Sequence, residues 1–187
     1  TGRKDWGGIL EEDKNSYFYP SVSFSLIPTT MFKMPKVFDF AKLRLGIAQV
    51  GHGIGKPRNR DTYSFESNDW GDVKLVSIGG SLVDANLKNE VTNSIEFGAD
   101  LNMFNNRLRD DFTVFKKSHL NQLLDVSVPP SSGFSSMTTN VGDVISKGYE
   151  WSLALDAIKN KDWLWTISTN FSKAEATIDR LSEAFGD

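Results

Sequence analysis

Residues 91–104 alternate between apolar and polar side chains at every second position, and this regularity most constrains what the chain can fold into. Successive side chains of a β-strand point to opposite faces of a sheet, so the segment is predicted to be a strand with one apolar and one polar face. Asn105 and Asn106 follow, and asparagine tolerates the positive φ angles of a tight turn. Because residues 108–115 then alternate in the same way, a β-hairpin is predicted.

The same pattern returns later in the chain. Residues 149–157 and 163–171 alternate, with the short polar turn 159–162 between them. The connection 116–146 between the two hairpins is long and rich in Ser, Thr and Pro, and we expect it to be a loop. Short turns at one end and long loops at the other are typical of membrane β-barrels, whereas a soluble sandwich has no reason to sort its loops by length.

Two more strands are predicted before residue 51. Residues 17–27 alternate until Pro28 ends the pattern, and residues 40–50 alternate with Lys42 and Arg44 on their polar face. The remaining segments are expected to be a polar loop at 1–15, an irregular turn or short helix at 29–38, a glycine-rich loop at 51–69, and a short strand at 73–78 that Gly79 and Gly80 end.

Composition excludes several classes of partner and site. The 21 basic and 24 acidic residues are interspersed, so no basic stripe favours nucleic acid and no polybasic cluster favours an anionic membrane surface. Cysteine is absent, which removes disulfides, thiolate metal sites and thiol nucleophiles. No apolar run approaches the ~20 residues of a membrane helix, but a membrane strand needs only about 9 to 11 tilted residues, so hydropathy does not exclude a membrane protein.

Motifs that suggest catalysis or ligand binding have simpler explanations. Residues 51–57 lack the spacing of a phosphate-binding loop and carry a proline where that loop needs Ser or Thr. His52 and His119 are both expected in loops, with no second ligand at metal-binding spacing. Four carboxylates on polar strand faces are the type of residue that serves in glycoside hydrolysis, but a wet polar face accounts for them without catalysis; they are Glu96, Asp100, Glu150 and Asp156. No catalytic residue, metal ligand or cofactor is predicted.

Aromatic residues outside the alternating segments have two interpretations. Side chains in loops can stack on sugar rings, although packing within the loops is the favoured explanation for Tyr63, Phe65, Trp70 and Phe134. Trp163 and Trp165 stand two positions apart beside a short turn. In a membrane barrel this is the place of the interfacial aromatic belt, and in a soluble sandwich both would belong to the core.

Several of these segments, in this order, resemble the C-terminal half of the barrel of SusC-like TonB-dependent outer-membrane transporters. The resemblance covers residues 19–171 and is weakest at 57–85. The segments that carry it are Leu-Lys-Asn-Glu at 87–90, Asn-Ser-Ile-Glu-Phe-Gly-Ala-Asp at 93–100, Phe-Asn-Asn-Arg-Leu at 104–108, Val-Pro-Pro-Ser-Ser-Gly-Phe-Ser at 128–135, Thr-Asn-Val-Gly at 139–142 and Lys-Gly-Tyr-Glu-Trp-Ser at 147–152.

The resemblance implies an all-β, antiparallel transmembrane β-barrel segment, with about six to eight strands of a barrel of about 22. Residues 1–187 would be part of a TonB-dependent receptor barrel domain that contains no plug domain. The implied location is the bacterial outer membrane, which the strands cross several times. The implied activity is TonB-dependent import of oligosaccharides or oligopeptides, with a SusD-like surface lipoprotein as partner and TonB engaged through parts absent from this chain.

In such a barrel the alternating faces meet either the aqueous lumen or lipid, the reverse of a soluble protein. Residues expected to face the lumen are Lys42, Arg44, Glu96, Asp100, Asn102, Arg109, Asp111, Glu150 and Asp156. Residues expected to face lipid are Leu43, Leu45, Ile95, Phe97, Leu101, Phe112, Trp151, Leu153, Trp163, Trp165 and Ile167.

Two alternatives stay open at this point. One is a complete small outer-membrane barrel that acts as an adhesin or structural protein, and the other is a soluble carbohydrate-binding β-sandwich. The chain begins without the apolar stretch of a signal peptide, so either this peptide was cleaved or the chain starts inside a longer one. The sequence predicts six to eight strands and ends after its last clear strand, not in a strand that closes on an aromatic residue. The strand count and this end lead us to expect a segment of a larger barrel, with two unpaired sheet edges.

Overall fold

A computed structural model describes residues 1–6, 16–52, 63–84 and 86–181, and one large sheet dominates it. Seven strands lie side by side in the order β1-β2-β3-β7-β8-β9-β10, each antiparallel to its neighbours. The predicted all-β antiparallel fold is confirmed. The strands are β1 (Gly2–Trp6), β2 (Ser16–Leu26), β3 (Phe38–His52), β4 (Tyr63–Phe65), β5 (Val76–Ile78), β6 (Ser81–Val83), β7 (Glu90–Met103), β8 (Leu108–Ser127), β9 (Ser136–Lys159) and β10 (Leu164–Leu181).

The other elements are small. The helix α1 (Pro28–Met31) occupies the predicted irregular connection, and a single 3-10 turn (Pro130–Ser132) lies between β8 and β9. Within the described part of the chain, no helix has the length and apolar character needed to cross a bilayer. Strands β4 and β5 form a separate two-stranded hairpin, and β6 adds to β9 as its one parallel partner.

The sheet is a single open layer. No ladder joins β1 to β10 among the described residues, so the sheet does not close on itself. The only buried hydrophobic side chains in these ranges are those of Ala41 and Leu87, and large apolar side chains are exposed along the strands. A soluble sandwich buries one sheet against another, and a small closed barrel has no edges. The described chain has neither arrangement, which matches the expected segment of a larger barrel.

The two tight turns lie where the sequence places them. Phe104, Asn105 and Asn106 all have positive φ angles, between 57° and 59°, in the turn between β7 and β8. In the turn between β9 and β10, the side-chain oxygen of Asn160 accepts hydrogen bonds from the backbone of Asp162 and Trp163, at 3.0 and 2.7 Å. Asparagine suits both turns because its short amide tolerates positive φ and bonds to the backbone nearby.

The prediction of a long loop at 116–146 is wrong. Strands β8 and β9 stay paired almost to their tips, and only residues 128–135 connect them. We call the paired residues 116–127 and 136–147 the β8–β9 arm. The arm lacks apolar alternation because neither of its faces is largely apolar, but the backbone ladder does not depend on side-chain polarity. A bulge at 119–122, where Asn121 has a φ of 56°, lets the ladder continue beyond an irregular register.

Three shorter expectations also need correction. Residues 2–6 form strand β1 instead of a loop, because their backbone pairs with β2 although the side chains are mostly polar. In the expected loop 51–69, residues 51–52 still belong to β3 and 63–65 form β4, while 53–62 lie outside the described residues. His52 and His119 therefore both lie in strands. His119 sits inside β8, where its Nδ1 is 3.0 Å from the hydroxyl oxygen of Thr92.

Neighbouring strands approach Gly148 in β9 so closely that a side chain has no room there. A Cβ at this position would overlap the backbone oxygen of Lys173 and lie 2.6 Å from the ring of Phe115, whereas a Cβ at Gly46 would meet nothing within 4 Å. The two glycines belong to the same row across the sheet. We expect Gly148→Ala to destabilise the protein by about 1–3 kcal/mol, because the backbone must shift. Gly46→Ala should be neutral or stabilise by about 0.5–1 kcal/mol.

The measurement is the temperature at which the folded band is lost on an unboiled denaturing gel, together with urea unfolding in detergent. Equal stability of the two alanine variants would contradict the close approach at Gly148.

Candidate functional site

The ladder register divides the strand residues between two faces, because directly paired residues lie on the same side of a sheet. Along one such row Leu45 pairs with Phe97, Phe97 with Val114, and Val114 with Tyr149. We call this side the apolar face. Its main residues are Leu43, Leu45, Ile95, Phe97, Leu101, Phe112, Val114, Tyr149, Trp151, Leu153, Ile167 and Phe171.

The opposite side carries most of the charge, and we call it the polar face. Its residues include Lys42, Arg44, Glu96, Asp100, Asn102, Arg109, Asp111, Thr113 and Glu150. Asp156 joins this face through its contact with Arg109. Every residue expected to face a lumen thus lies on one face. The residues expected to face lipid share the other face, with one exception: Trp163 lies in the turn before β10, so strand alternation does not assign it.

Arg44 is the centre of a charge cluster on the polar face. Its Nη2 atom lies 2.8 Å from the carboxylate of Asp100 and 2.9 Å from that of Asp111, so it links β3 to β7 and β8. The guanidinium lies over Gly98, where a Cβ would come within 2.9 Å of Nη2. The glycine therefore leaves room for the arginine to lie flat on the sheet.

Two buried atoms in this cluster lack a hydrogen-bond partner among the described residues. They are Nε of Arg44 and Oδ1 of Asp100, and the latter is close to Nη2 of Arg44 without hydrogen-bond alignment. Buried polar atoms in native proteins nearly always find a partner in protein or water. These two atoms are closed to solvent, whereas the side chains of Arg44 and Asp111 are 39% and 52% exposed, so water or a polar solute meets the cluster through the exposed parts of these two residues.

Asp156 is the centre of a second cluster, near the tight turns. Arg109 binds it through two parallel hydrogen bonds of 2.8 and 3.0 Å, the strongest geometry for such a pair. Thr166 donates a further hydrogen bond at 2.9 Å, and Lys159 lies 3.4 Å away. The carboxylate is only 4% exposed, so its charge is compensated on three sides. The cluster fixes β8, β9 and β10 to one another beside the turns.

The polar contacts of the arm were not predicted. Thr139 donates to the carboxylate of Asp84 at 2.7 Å, and the backbone N–H of Asp84 donates to Thr138 at 3.0 Å. The amide of Asn140 bonds both backbone groups of Lys88, at 2.8 and 3.0 Å. Asp84 and Lys88 are thereby fixed against β9. The alternation of Ser136, Thr138 and Asn140 is the sequence signal that could have indicated a polar strand here.

Three of the four carboxylates considered for catalysis lie beside cationic side chains. Asp100 and Asp156 are bound to arginines, and Glu96 lies 3.6 Å from Lys117. Within the described ranges, no three residues of the types His, Asp and Glu are grouped so that they could hold a metal ion. The arrangement is that of a charged, wet surface.

Three of the four aromatic residues singled out in the sequence are exposed. Tyr63 and Phe65 lie on β4 and are 70% and 77% exposed, and Trp70 is 79% exposed. The favoured explanation, packing within loops, is therefore wrong for these three. Phe134 is half-buried in the connection between β8 and β9. The exposed rings lie on the part of the chain between β3 and β7, at the end opposite the tight turns.

The apolar face has a border that runs at an angle to the strands. On this face, each strand changes from apolar to polar residues toward the end opposite the tight turns. The last apolar residues on β3, β7, β8, β9 and β10 are, respectively, Ile47, Ile95, Val114, Tyr149 and Phe171. From β3 to β10, which is four strand spacings, the border shifts by four residues relative to a row of directly paired residues. This is ~13 Å along the strands over ~19 Å across them, an inclination of ~35°. Membrane barrel strands tilt by about 35–45° from the membrane normal.

Comparison with known proteins gives consistent results. The family model "TonB dependent receptor-like, beta-barrel" matches residues 3–186. TonB-dependent receptor P39 of Formosa agariphila is 33% identical over 189 residues, which cover 98% of this chain and 18% of that protein. TonB-dependent receptor SusC of Bacteroides thetaiotaomicron is 25% identical, over 97% of this chain and 19% of that protein.

A solved structure of the RagAB peptide transporter has the same fold. It superposes with a TM-score of 0.85 at 24% identity, over 95% of this chain and 20% of that one. The chain thus spans about a fifth of the length of the relatives that it matches.

The two charge clusters predict unequal responses to removal of a carboxylate charge. In the full-length receptor, Asp156→Asn should lower the temperature of barrel unfolding at least twice as much as Glu96→Gln. Asparagine cannot accept both hydrogen bonds of Arg109, and it leaves that arginine beside a buried neutral group. Glu96 is 47% exposed, so solvent replaces its lysine contact. Heat-modifiability on gels measures both variants, and similar losses would contradict a structural role for Asp156.

Proposed function

We propose, because the chain belongs to the TonB-dependent receptor-like β-barrel family, that it forms part of the wall of an outer-membrane importer of large nutrients. The chain corresponds to about a fifth of its relatives, so import is an activity of the whole protein. Within it, residues 1–187 would contribute barrel strands, and other parts of the receptor would supply the plug and the contact with TonB.

One observation carries this proposal: the sheet is a single layer with an apolar face bounded along a line inclined by ~35° to the paired rows. Unsatisfied backbone groups are too unfavourable in lipid for anything but helices or closed barrels to span a bilayer. A sheet whose border follows the strand tilt of membrane barrels suits a position in a bilayer, with the border parallel to the membrane surface. The apolar face would then meet lipid, and the polar face would meet the lumen.

The polar face suits the passage of polar solutes. Lys42, Arg44, Glu96 and Asp111 present both signs of charge, and the side chains of Arg44, Glu96 and Asp111 are partly exposed. A solute rich in hydroxyl or amide groups can bond to such a surface transiently. We infer that the cargo is an oligosaccharide or an oligopeptide. The RagAB neighbour, described as a peptide transporter, favours the peptide.

The ends of the sheet differ in a way that favours an orientation. The tight turns at 104–107 and 160–163 would face the periplasm, and the β8–β9 arm would project outside, since outer-membrane barrels have short periplasmic turns. A SusD-like surface lipoprotein would dock at the outer end, where the aromatic rings of Tyr63, Phe65 and Trp70 are exposed. These rings are suited to stack on sugar rings or to pack against the lipoprotein.

The first prediction of this proposal concerns the two faces. Spin labels attached through Phe97→Cys and Ala99→Cys in the reconstituted receptor should be relaxed by lipid-soluble oxygen. A label attached through Glu96→Cys, one position away on the same strand, should respond to a water-soluble nickel chelate. Power-saturation EPR measures both accessibilities. Labels at 97 and 99 that neither reagent reaches would mean that protein covers the apolar face, and the membrane assignment would fail.

The second prediction concerns orientation. A cysteine introduced at Ser132, in the connection at the tip of the arm, should react on intact cells with an impermeant maleimide. A cysteine at Asn106 should react only after the outer membrane is made permeable. Both positions are exposed, so the membrane and not burial decides the difference. Labelling of Asn106→Cys on intact cells, with Ser132→Cys protected, would reverse the orientation.

A further inference from the structure

Two lysines face each other directly at the border of the apolar face. Lys116 on β8 and Lys147 on β9 are paired in the ladder, so both lie on the same side of the sheet. Directly opposed residues on neighbouring strands have Cβ atoms about 4.5–5.5 Å apart, and like charges in such a pair destabilise a sheet. Among the described residues, neither ammonium group has an ion-pair partner, and both lysines are exposed. The pair therefore places two positive charges side by side.

The adjoining side chains form an apolar groove. A cavity of about 540 Å³ opens on this face, and both lysines line it at one end. Its apolar lining comes from Ile95, Phe97 and Val114, with the ring of Tyr149 beside them. Three of these belong to the row that follows the lysines toward the tight turns. An elongated ligand with an anionic end and an apolar body would match this order of groups.

The charges around the groove favour an anion. Lys173 and Glu175 also line it. Glu175 is the ladder partner of Lys147 on β10, but its carboxylate lies 2.6 Å from the ammonium of Lys173 and forms an ion pair with that group. Asp179 lies farther along β10 and does not line this groove. Three lysines and one glutamate thus leave the groove with a net charge of +2.

We propose that this groove binds a phosphorylated lipid of the surrounding membrane, with the lipid phosphate between Lys116 and Lys147 and an acyl chain along the apolar lining. The site rests on the proposed function, because it requires the apolar face to lie in a bilayer. There the lysines mark the level at which the apolar face ends, which is the level of lipid headgroups. A phosphate bridging two ammonium groups removes their repulsion, and the acyl chain covers the side chains beneath.

The test uses the full-length receptor in detergent and native mass spectrometry. Purified lipid A is the probe, and the same lipid without its phosphates is the comparison. We expect wild-type receptor to retain the phosphorylated lipid in preference to the dephosphorylated one. Lys116→Ala/Lys147→Ala should reduce retention of the phosphorylated lipid about tenfold. Lys116→Arg/Lys147→Arg should preserve it, and Lys161→Ala, in the exposed turn at the other end, should have no effect. Heat-modifiability on gels establishes that every variant is folded.

Several results would overturn the site. Equal retention of both lipids by the wild type would mean that the phosphate is not recognised, and unchanged retention by the double alanine variant would exclude the lysines. Displacement of the lipid by millimolar inorganic phosphate would indicate a site for free phosphate. A dimer mass that the double alanine variant abolishes would assign the face to a second copy of the chain. The spin labels at positions 97 and 99 distinguish this inference from the barrel proposal. If the barrel proposal is wrong, lipid-soluble oxygen will not relax these labels. If only the lipid site is wrong, it will still relax them.

Discussion

The backbone hydrogen-bond ladder is the interaction on which the rest of this structure depends. Buried apolar side chains contribute almost nothing within the described chain, where only Ala41 and Leu87 form the hydrophobic interior. Strand β9 instead pairs over most of its length with β8 on one side and β10 on the other. In lipid, each backbone hydrogen bond stabilises the fold more than it does in water, because an unpaired amide in lipid has no water molecule to bond with. The strands hold one another through their backbones, and the large apolar side chains are left exposed.

The polar face follows from this division. Because the ladder holds the strands, polar side chains need not pack into a core, and they pair across strands instead. Arg44 lies over Gly98 between two carboxylates, and Arg109 binds the carboxylate of Asp156 beside the turns. The carboxylate of Asp156 is 4% exposed, whereas Arg44 and Asp111 are 39% and 52% exposed. The same residue types thus form a cluster closed to solvent at one level of the sheet and an open one at another.

Sequence periodicity predicted the parts of the sheet where one face is apolar, and it missed the parts where neither is. Strands β2, β3 and β7 and both tight turns follow from alternation and from the asparagines. The arm and strand β1 could not be predicted in this way, because a strand that is polar on both faces has no hydrophobic period to detect. Alternation also placed the residues expected to face the lumen on one face of the sheet. It could not pair Lys116 with Lys147, since residues distant in sequence meet only through the register of the ladder.

The inclination of the apolar border also bears on the size of the barrel that this wall would build. A shift of one residue per strand sets a tilt of ~35°, and a tilted strand takes up ~6 Å of circumference. About 22 such strands enclose a radius of ~20 Å, whereas about eight enclose a space that side chains fill. On the polar face, Arg44 is 39% exposed and Asp111 is 52% exposed, and their charges meet each other across β7 within the same sheet. In a narrow barrel, side chains from the opposite wall would fill the interior and contact these groups. Polar residues that lie flat and bond along their own wall would suit the wide, water-filled lumen that we propose.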